Sequence, residues 1–151
     1  MSLSDFSMTT GLSAALPVML HNVFTANLVA RTAEWPHNYG LCAYSGTVIG
    51  GPTRWFFLQY QENYFKITNQ KANTCVIANS GGEVRAHDGG DYPDQYWSLE
   101  PVAGASNVVR ILNRMYGVYL YDPNPPGTTG TLSCGPVKTA NETRWNWKLL
   151  G

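Results

Sequence analysis

The sequence predicts an all-β protein in which three pseudo-symmetric copies of a four-strand unit close into a β-trefoil. Short runs rich in Val, Ile, Tyr, Phe and Trp dominate the 151 residues, and most of them alternate apolar and polar side chains. The 15 Gly and 9 Pro interrupt the chain throughout, so no helical periodicity persists between them. The same succession of runs recurs three times, which indicates a repeat architecture.

The first strand of each unit is the clearest of the repeated runs. It alternates apolar and polar residues and ends in an asparagine. The three copies, at nearly equal spacing, are PVMLHN (17–22), YFKITN (64–69) and VVRILN (108–113). Asparagine side chains accept hydrogen bonds from backbone N–H groups slightly further along the chain. We therefore predict that Asn22, Asn69 and Asn113 cap the turn after this strand.

The remaining strands follow in the same order in each unit. The second strand is centred on Val29, Val76 and Leu120, and the third on Leu41, Val84 and Leu132. In the fourth strand we align Phe56, Trp97 and Trp147 as the inward-facing residues. This alignment puts Arg54 and Trp145 at the position of Gln95, and Thr53 and Arg144 at that of Asp94. Trp55, Tyr96 and Trp145 then alternate with the core positions, where they either pack against loops or form a subunit interface.

One such unit cannot close its own core or cover its strand edges, whereas three together can form a closed barrel with capping hairpins. A β-propeller is excluded because it needs at least about four blades. We expect a single domain over residues 1–151, with units at about 15–60, 61–104 and 105–151.

Composition excludes several classes of function. The formal net charge is zero and the pI is near 6.8, so we expect no nucleic-acid partner. Three cysteines without CxxC spacing argue against a disulfide framework or a zinc site. We expect no metal or other cofactor, and no catalysis, because no nucleophile, phosphate-loop or metalloprotease motif is present. No apolar run is long enough for a transmembrane segment, and the N-terminus lacks a basic signal region. The expected location is cytoplasmic, or outside the cell after release without a signal peptide.

The second unit resembles a known family. Its QYW (95–97) resembles the QxW motif of ricin-B-type β-trefoil lectins, and GEVRAHDGGDYPDQYWSLEPV (82–102) is closer still to the β-trefoil lectins of mushrooms, such as bracket fungi and boletes. The resemblance extends over residues 17–150. It implies a multivalent hemagglutinin that binds terminal galactose or N-acetylgalactosamine on glycoproteins or glycolipids, with a homodimer as one possible assembly.

The resemblance also implies a sugar site in the second unit. A pyranose is held by a flat ring against its apolar face and by planar polar groups that pair with adjacent hydroxyls. The implied stacking residue is His87, and the implied polar partners and neighbouring glycine are Asn79, Asp88, Gly89, Asp94 and Gln95. Gln95 is expected at the entrance of the fourth strand, partly buried, where it orients the ligand loop. The alternative is that HDGGDYPD is a polar hairpin loop with turn chemistry only.

The other two units depart from this pattern. In the first, Tyr44 takes the stacking position, and Arg31, Ser45 and Arg54 surround it. In the third, Gly135 stands where an aromatic residue is expected, which leaves Asp122, Asn124 and Arg144 as polar candidates. For Arg54 and Arg144 the alternative is a surface charge with its stem over the barrel rim.

A β-trefoil protease inhibitor is the alternative function. The loop YDPNPPGTTGT (121–131) has the proline content of a preorganised, substrate-like loop. Agglutination of red cells that free galactose inhibits supports the lectin, whereas stoichiometric loss of trypsin or papain activity supports the inhibitor.

Overall fold

In the part of the chain that the structure describes, twelve short strands form one antiparallel sheet, as the alternating runs predict. The computed structural model describes residues 16–31, 40–46, 50–61, 63–71, 74–87, 92–136 and 142–151. The strands of the first unit are β1 (Met19–Asn22), β2 (Leu28–Arg31), β3 (Leu41–Tyr44) and β4 (Trp55–Gln61). Those of the second are β5 (Tyr64–Asn69), β6 (Cys75–Ala78), β7 (Val84–His87) and β8 (Tyr96–Pro101). Those of the third are β9 (Val108–Asn113), β10 (Tyr119–Tyr121), β11 (Ser133–Gly135) and β12 (Trp147–Leu150).

Strand pairing closes a barrel and caps it with hairpins. Each fourth strand pairs with the first strand of the next unit, in the pairs β4–β5, β8–β9 and β12–β1. Each first strand also meets the fourth strand of its own unit. The second and third strands of each unit form a hairpin, β2–β3, β6–β7 or β10–β11. This is the predicted β-trefoil with its three four-strand units.

Three buried tryptophans mark the pseudo-threefold symmetry. Trp55, Trp97 and Trp147 have no exposed surface. Their indole N–H groups donate to the carbonyl oxygens of Val29, Val76 and Leu120, the centres of the three second strands, at 2.9, 2.9 and 3.1 Å. Each hydrogen bond satisfies a buried polar group and holds the fourth strand over the second strand of its own unit.

These contacts correct the alignment of the first unit by one residue. Trp55, and not Phe56, is equivalent to Trp97, so Thr53 takes the position of Gln95 and Pro52 that of Asp94. Arg54 is equivalent to Tyr96. The expectation was wrong because WFFL (55–58) is a run of consecutive apolar residues. Without alternating polar residues, the sequence does not show which of them face the core.

The three aromatic residues that the sequence placed between the core positions are all buried. Tyr96 is only 5% exposed, because the ring of Tyr60 stacks on it at a centroid distance of 3.9 Å. Trp145 is also 5% exposed, and Trp55 belongs to the core itself. Packing within the chain therefore accounts for the burial of these aromatic rings, and no subunit interface is needed to cover them.

The strand-terminal asparagines are turn caps, as predicted. The Oδ1 atoms accept backbone N–H groups of the following turn, from Phe24 and Thr25, from Lys71, and from Met115 and Tyr116. Their Nδ2 atoms donate across the barrel to carbonyl oxygens of the segment before a neighbouring fourth strand, such as that of Arg144 for Asn22 (2.6 Å), Pro52 for Asn69 (3.2 Å) and Asp94 for Asn113 (3.0 Å). Each asparagine thus joins two successive units.

Three short 3₁₀ helices lie in those segments: η1 (Gly51–Thr53), η2 (Pro93–Gln95) and η3 (Glu142–Trp145). None of the helices in the described residues is long and apolar enough to cross a membrane.

The cysteines are free and buried. Burial raises the pKa of Cys42 from 9.0 to about 11 and also raises the pKa of Cys134. For Tyr119, burial and a hydrogen bond to Glu100 raise the pKa of the phenol. In each case the folded state holds its proton more tightly than the unfolded state.

The folded protein should therefore lose stability in alkali. The contribution of Cys42 is fully present below pH 9 and is lost as the pH rises to about 11. Urea unfolding at about pH 10.5 should give a free energy lower by about 2 kcal/mol than at about pH 8 from this group alone. A Cys42→Ala variant should show a correspondingly smaller loss, and an equal loss in both proteins would contradict the assignment to Cys42.

Candidate functional site

In each unit the third strand and the 3₁₀ helix flank the second strand, and we call the region between them the cleft of that unit. The register pairs Leu28 with Tyr44, Cys75 with His87, and Tyr119 with Gly135. The predicted stacking positions are therefore structurally equivalent. The helices η1, η2 and η3 lie against the second strands β2, β6 and β10, respectively, and form the other side of each cleft.

The second cleft exposes two aromatic rings. His87 is exposed at the end of β7, and Tyr92, just before η2, has 59% of its surface exposed. The two ring centroids lie 6.3 Å apart and the ring planes are nearly perpendicular, at 87°. The sequence reasoning missed Tyr92 as a site residue. Its position in the YPD run was a usable signal, because a residue that precedes proline is extended.

Asp94, two residues after Tyr92, adds a carboxylate to the helix that borders this cleft. It is half-buried within η2, and its backbone oxygen accepts the hydrogen bond from Asn113 that anchors this helix. Its Oδ1 atom is buried and accepts no hydrogen bond from any residue that the structure describes. Gln95 ends η2 and has no exposed surface, so it lies beneath the cleft rather than in its wall.

The other predicted polar residues of the second unit are engaged elsewhere or lie outside the described residues. Asn79 accepts the backbone N–H groups of Gly81 and Glu83 at 2.9 and 3.0 Å, and donates to the carboxylate of Glu83 at 2.6 Å. Its amide therefore stabilises the β6–β7 turn. Asp88 and Gly89 belong to the segment that the structure does not describe.

The first cleft is bounded by residues that the protein also uses for its own contacts. Tyr44 is half-buried at the end of β3, and Arg31 donates to the carbonyl oxygen of Gly40 at 3.0 Å. Ser45 bonds the hydroxyl of Thr129 through its backbone N–H (3.0 Å) and its own hydroxyl (2.8 Å). Arg54 follows η1 and is half-buried. Ser45 thus joins the first unit to the third, whereas Arg31 holds the residue before β3 within its own unit.

In the third unit, Asp122 is a structural carboxylate. It has no exposed surface and accepts hydrogen bonds from Thr25 Oγ1 (2.5 Å) and Asn27 Nδ2 (2.8 Å) of the first unit. The backbone and side-chain N–H groups of Asn124 donate to its other oxygen at 2.9 and 2.7 Å. Four donors around a buried carboxylate leave it unavailable to a ligand.

Arg144 is also held by the protein. Its guanidinium donates to the carbonyl oxygen of Pro123 at 3.0 Å and lies over the ring of Phe24 at 5.2 Å from the centroid. Both contacts hold the guanidinium against the protein itself.

The proline-rich loop 121–131 forms a tight turn. Thr128 N–H donates to the carbonyl oxygen of Pro125 at 3.1 Å, with Gly127 at a φ of 75° between them. Glycine adopts this left-handed conformation without strain, as the turn requires. The loop is tied to the first unit by a backbone bridge between Gly130 and Ala43. The turn and the bridge therefore fix the second half of the loop against the protein.

No protein-family model matches the chain, and no curated protein matches it. Similar solved structures include "SeviL bound to asialo-GM1 saccharide", at 18% identity over 89% of this chain and 95% of that one, with a TM-score of 0.71. A BEL β-trefoil is 13% identical over 91% and 94% of the two chains, with a TM-score of 0.75. The cytolethal distending toxin of Haemophilus ducreyi is 22% identical over 91% and 84%, with a TM-score of 0.74. At these identities the likeness shows the fold.

Proposed function

We propose that this protein is a lectin that binds terminal galactose or N-acetylgalactosamine on glycoproteins or glycolipids and performs no catalysis. The observation that carries the proposal is the second cleft, in which the rings of His87 and Tyr92 are exposed and the half-buried Asp94 follows Tyr92 by two residues, in η2. The fold shared with SeviL, a protein solved with a saccharide, supports it.

Each of these groups matches a feature of galactose. The apolar face of the pyranose packs on an exposed ring, as sugars do on flat aromatic surfaces. A hydroxyl at the rim of the sugar donates to the carboxylate of Asp94, which is only half-buried and accepts hydrogen bonds when ionised.

A single cleft of this kind binds weakly. Millimolar affinity corresponds to roughly −4 kcal/mol, which is typical of a small contact area. Binding to a cell surface then depends on several clefts acting together, which raises avidity by about 10² to 10⁴-fold. We propose that more than one cleft per chain and a homodimer provide this valency, so that the protein acts as a hemagglutinin. Sedimentation together with agglutination tests it, because a monomer that still agglutinates cells shows that one chain suffices.

Three buried free thiols are consistent with a protein made in a reducing compartment. We accordingly propose action in the cytoplasm, or outside the cell after release without a signal peptide.

A glycan array followed by a galactose titration tests the specificity. We expect binding to glycans that end in galactose or N-acetylgalactosamine, and inhibition of agglutination by free galactose. Binding restricted to mannose or fucose would overturn the specificity, and an array without any binding would overturn the lectin function.

Truncation of either ring in the second cleft should weaken galactose binding. His87→Ala and Tyr92→Ala should each cost about 1–2 kcal/mol, because the stacking surface is removed. Both side chains are exposed, so the free energy of unfolding should change little. Leu58→Ala is the control, since Leu58 is an exposed apolar side chain (37%) on β4 of the first unit. Calorimetric titration measures the affinities, and equal weakening by all three variants would show that the second cleft is not the site.

A further inference from the structure

Three positions of the third cleft differ together from their equivalents in the other units. The second strand carries a large ring, the stacking position has no side chain, and the position of Gln95 carries an indole. The residues are Tyr121 in place of Ala30 and Ile77, Gly135 in place of Tyr44 and His87, and Trp145 in place of Thr53 and Gln95.

The indole of Trp145 fills the space between the other two positions. Its ring stacks on Tyr121, with centroids 4.0 Å apart and planes at 24°, and Tyr119 meets it edge-on at 6.3 Å. Only 5% of Trp145 is exposed. One large face of the indole is therefore covered, and little surface remains on which a sugar could stack.

Gly135 lies directly against the far edge of the Trp145 ring. A Cβ atom at position 135 would lie 2.6 Å from Cη2 of Trp145 and 3.5 Å from both Cζ2 and Cζ3. Equal distances to the two flanking atoms place that Cβ off the tip of the six-membered ring. Any side chain at this position would collide with the indole, so the glycine and the tryptophan depend on each other.

We infer that Trp145 closes the third cleft, so that one chain offers at most two glycan sites, in the first and second units. Trp145 and Gly135 are thus the residues that determine the valency. The packing of Trp145 into the third cleft does not depend on any ligand, whereas the number of glycan sites per chain rests on the proposed lectin function.

The packing is tested first by a pair of glycine substitutions. Gly135→Ala should lower the melting temperature by about 5 °C, because overpacking against a rigid ring is destabilising. Gly81→Ala is the matched control, since its Cβ would meet only Asn79 Oδ1 at 3.5 Å and its φ is not positive. In a Trp145→Phe background, whose shorter ring removes the collision, Gly135→Ala should be no worse than Gly81→Ala. A Gly135→Ala protein as stable as Gly81→Ala in the parent background overturns the closure.

A galactose titration monitored by ¹H–¹⁵N correlation NMR tests the consequence for binding. The indole N–H signal of Trp145, assigned from its loss in Trp145→Phe, should not shift at saturating galactose while signals around His87 and Tyr92 do. A shift of the Trp145 signal that saturates with its own galactose affinity overturns the closure. If no signal moves with galactose or with any glycan from the array, the proposed function fails, and the melting temperatures alone decide whether the cleft is closed.

Discussion

Asp122→Ala should lower the free energy of unfolding by about 3–5 kcal/mol. The carboxylate has no exposed surface and accepts four hydrogen bonds, from Thr25, Asn27 and twice from Asn124. Alanine would leave these donors buried without an acceptor, and each such group costs about 1–3 kcal/mol. Because the contact joins the first and third units, the whole barrel should unfold at lower denaturant concentration. Urea unfolding followed by tryptophan fluorescence measures the effect.

Asp94→Ala is the matched control for this substitution. Asp94 is half-buried, and no described residue donates a hydrogen bond to its Oδ1 atom. Its removal should change the free energy of unfolding by less than about 1 kcal/mol. Asp122→Asn should be nearly as damaging as Asp122→Ala. Both carboxylate oxygens accept hydrogen bonds, so the amide N–H₂ group of asparagine would face other hydrogen-bond donors. Equal stability of Asp122→Ala and Asp94→Ala would contradict a structural role for Asp122.

Asn113→Ala should reduce both stability and glycan binding. Asn113 is 1% exposed, donates to the backbone oxygen of Asp94 and accepts the N–H groups of Met115 and Tyr116. Loss of these three hydrogen bonds should cost about 2–4 kcal/mol. It also releases the helix η2 that positions Asp94 in the second cleft, so galactose affinity should fall several-fold at a temperature where the variant is folded. Unfolding and calorimetric titration of the same sample measure the two effects.

Asn22→Ala separates the local effect from general destabilisation. Asn22 makes the equivalent contacts, but its Nδ2 atom donates to the backbone oxygen of Arg144, before the third unit's fourth strand. Its replacement should cost a similar free energy of unfolding and leave galactose affinity at the second cleft unchanged. Should both variants lose affinity equally, the anchoring of η2 is not what connects Asn113 to binding.

Local signals were sufficient for the architecture. Alternating runs that end in Asn22, Asn69 and Asn113 identify the first strands, because both the alternation and the turn cap are properties of neighbouring residues. The equivalence of Tyr44, His87 and Gly135 also followed from spacing, since hairpins of similar length keep the same register. The one register error, at Trp55, fell where consecutive apolar residues removed the alternation.

The roles of the polar residues were decided by the tertiary structure. Asp122 looked like a ligand-binding acid, but its donors Thr25 and Asn27 come from the first unit, 97 and 95 residues away. From the sequence, Trp145 was expected to pack against loops or to form a subunit interface. In the fold its ring stacks on Tyr121, and Gly135 lies at its edge. Whether a polar atom meets a protein partner or solvent depends on residues distant in the chain, and sequence periodicity carries no information about them. The sequence by itself therefore determined the trefoil and the location of its three clefts, whereas packing between units decided which of those clefts is open and which of their polar groups are available.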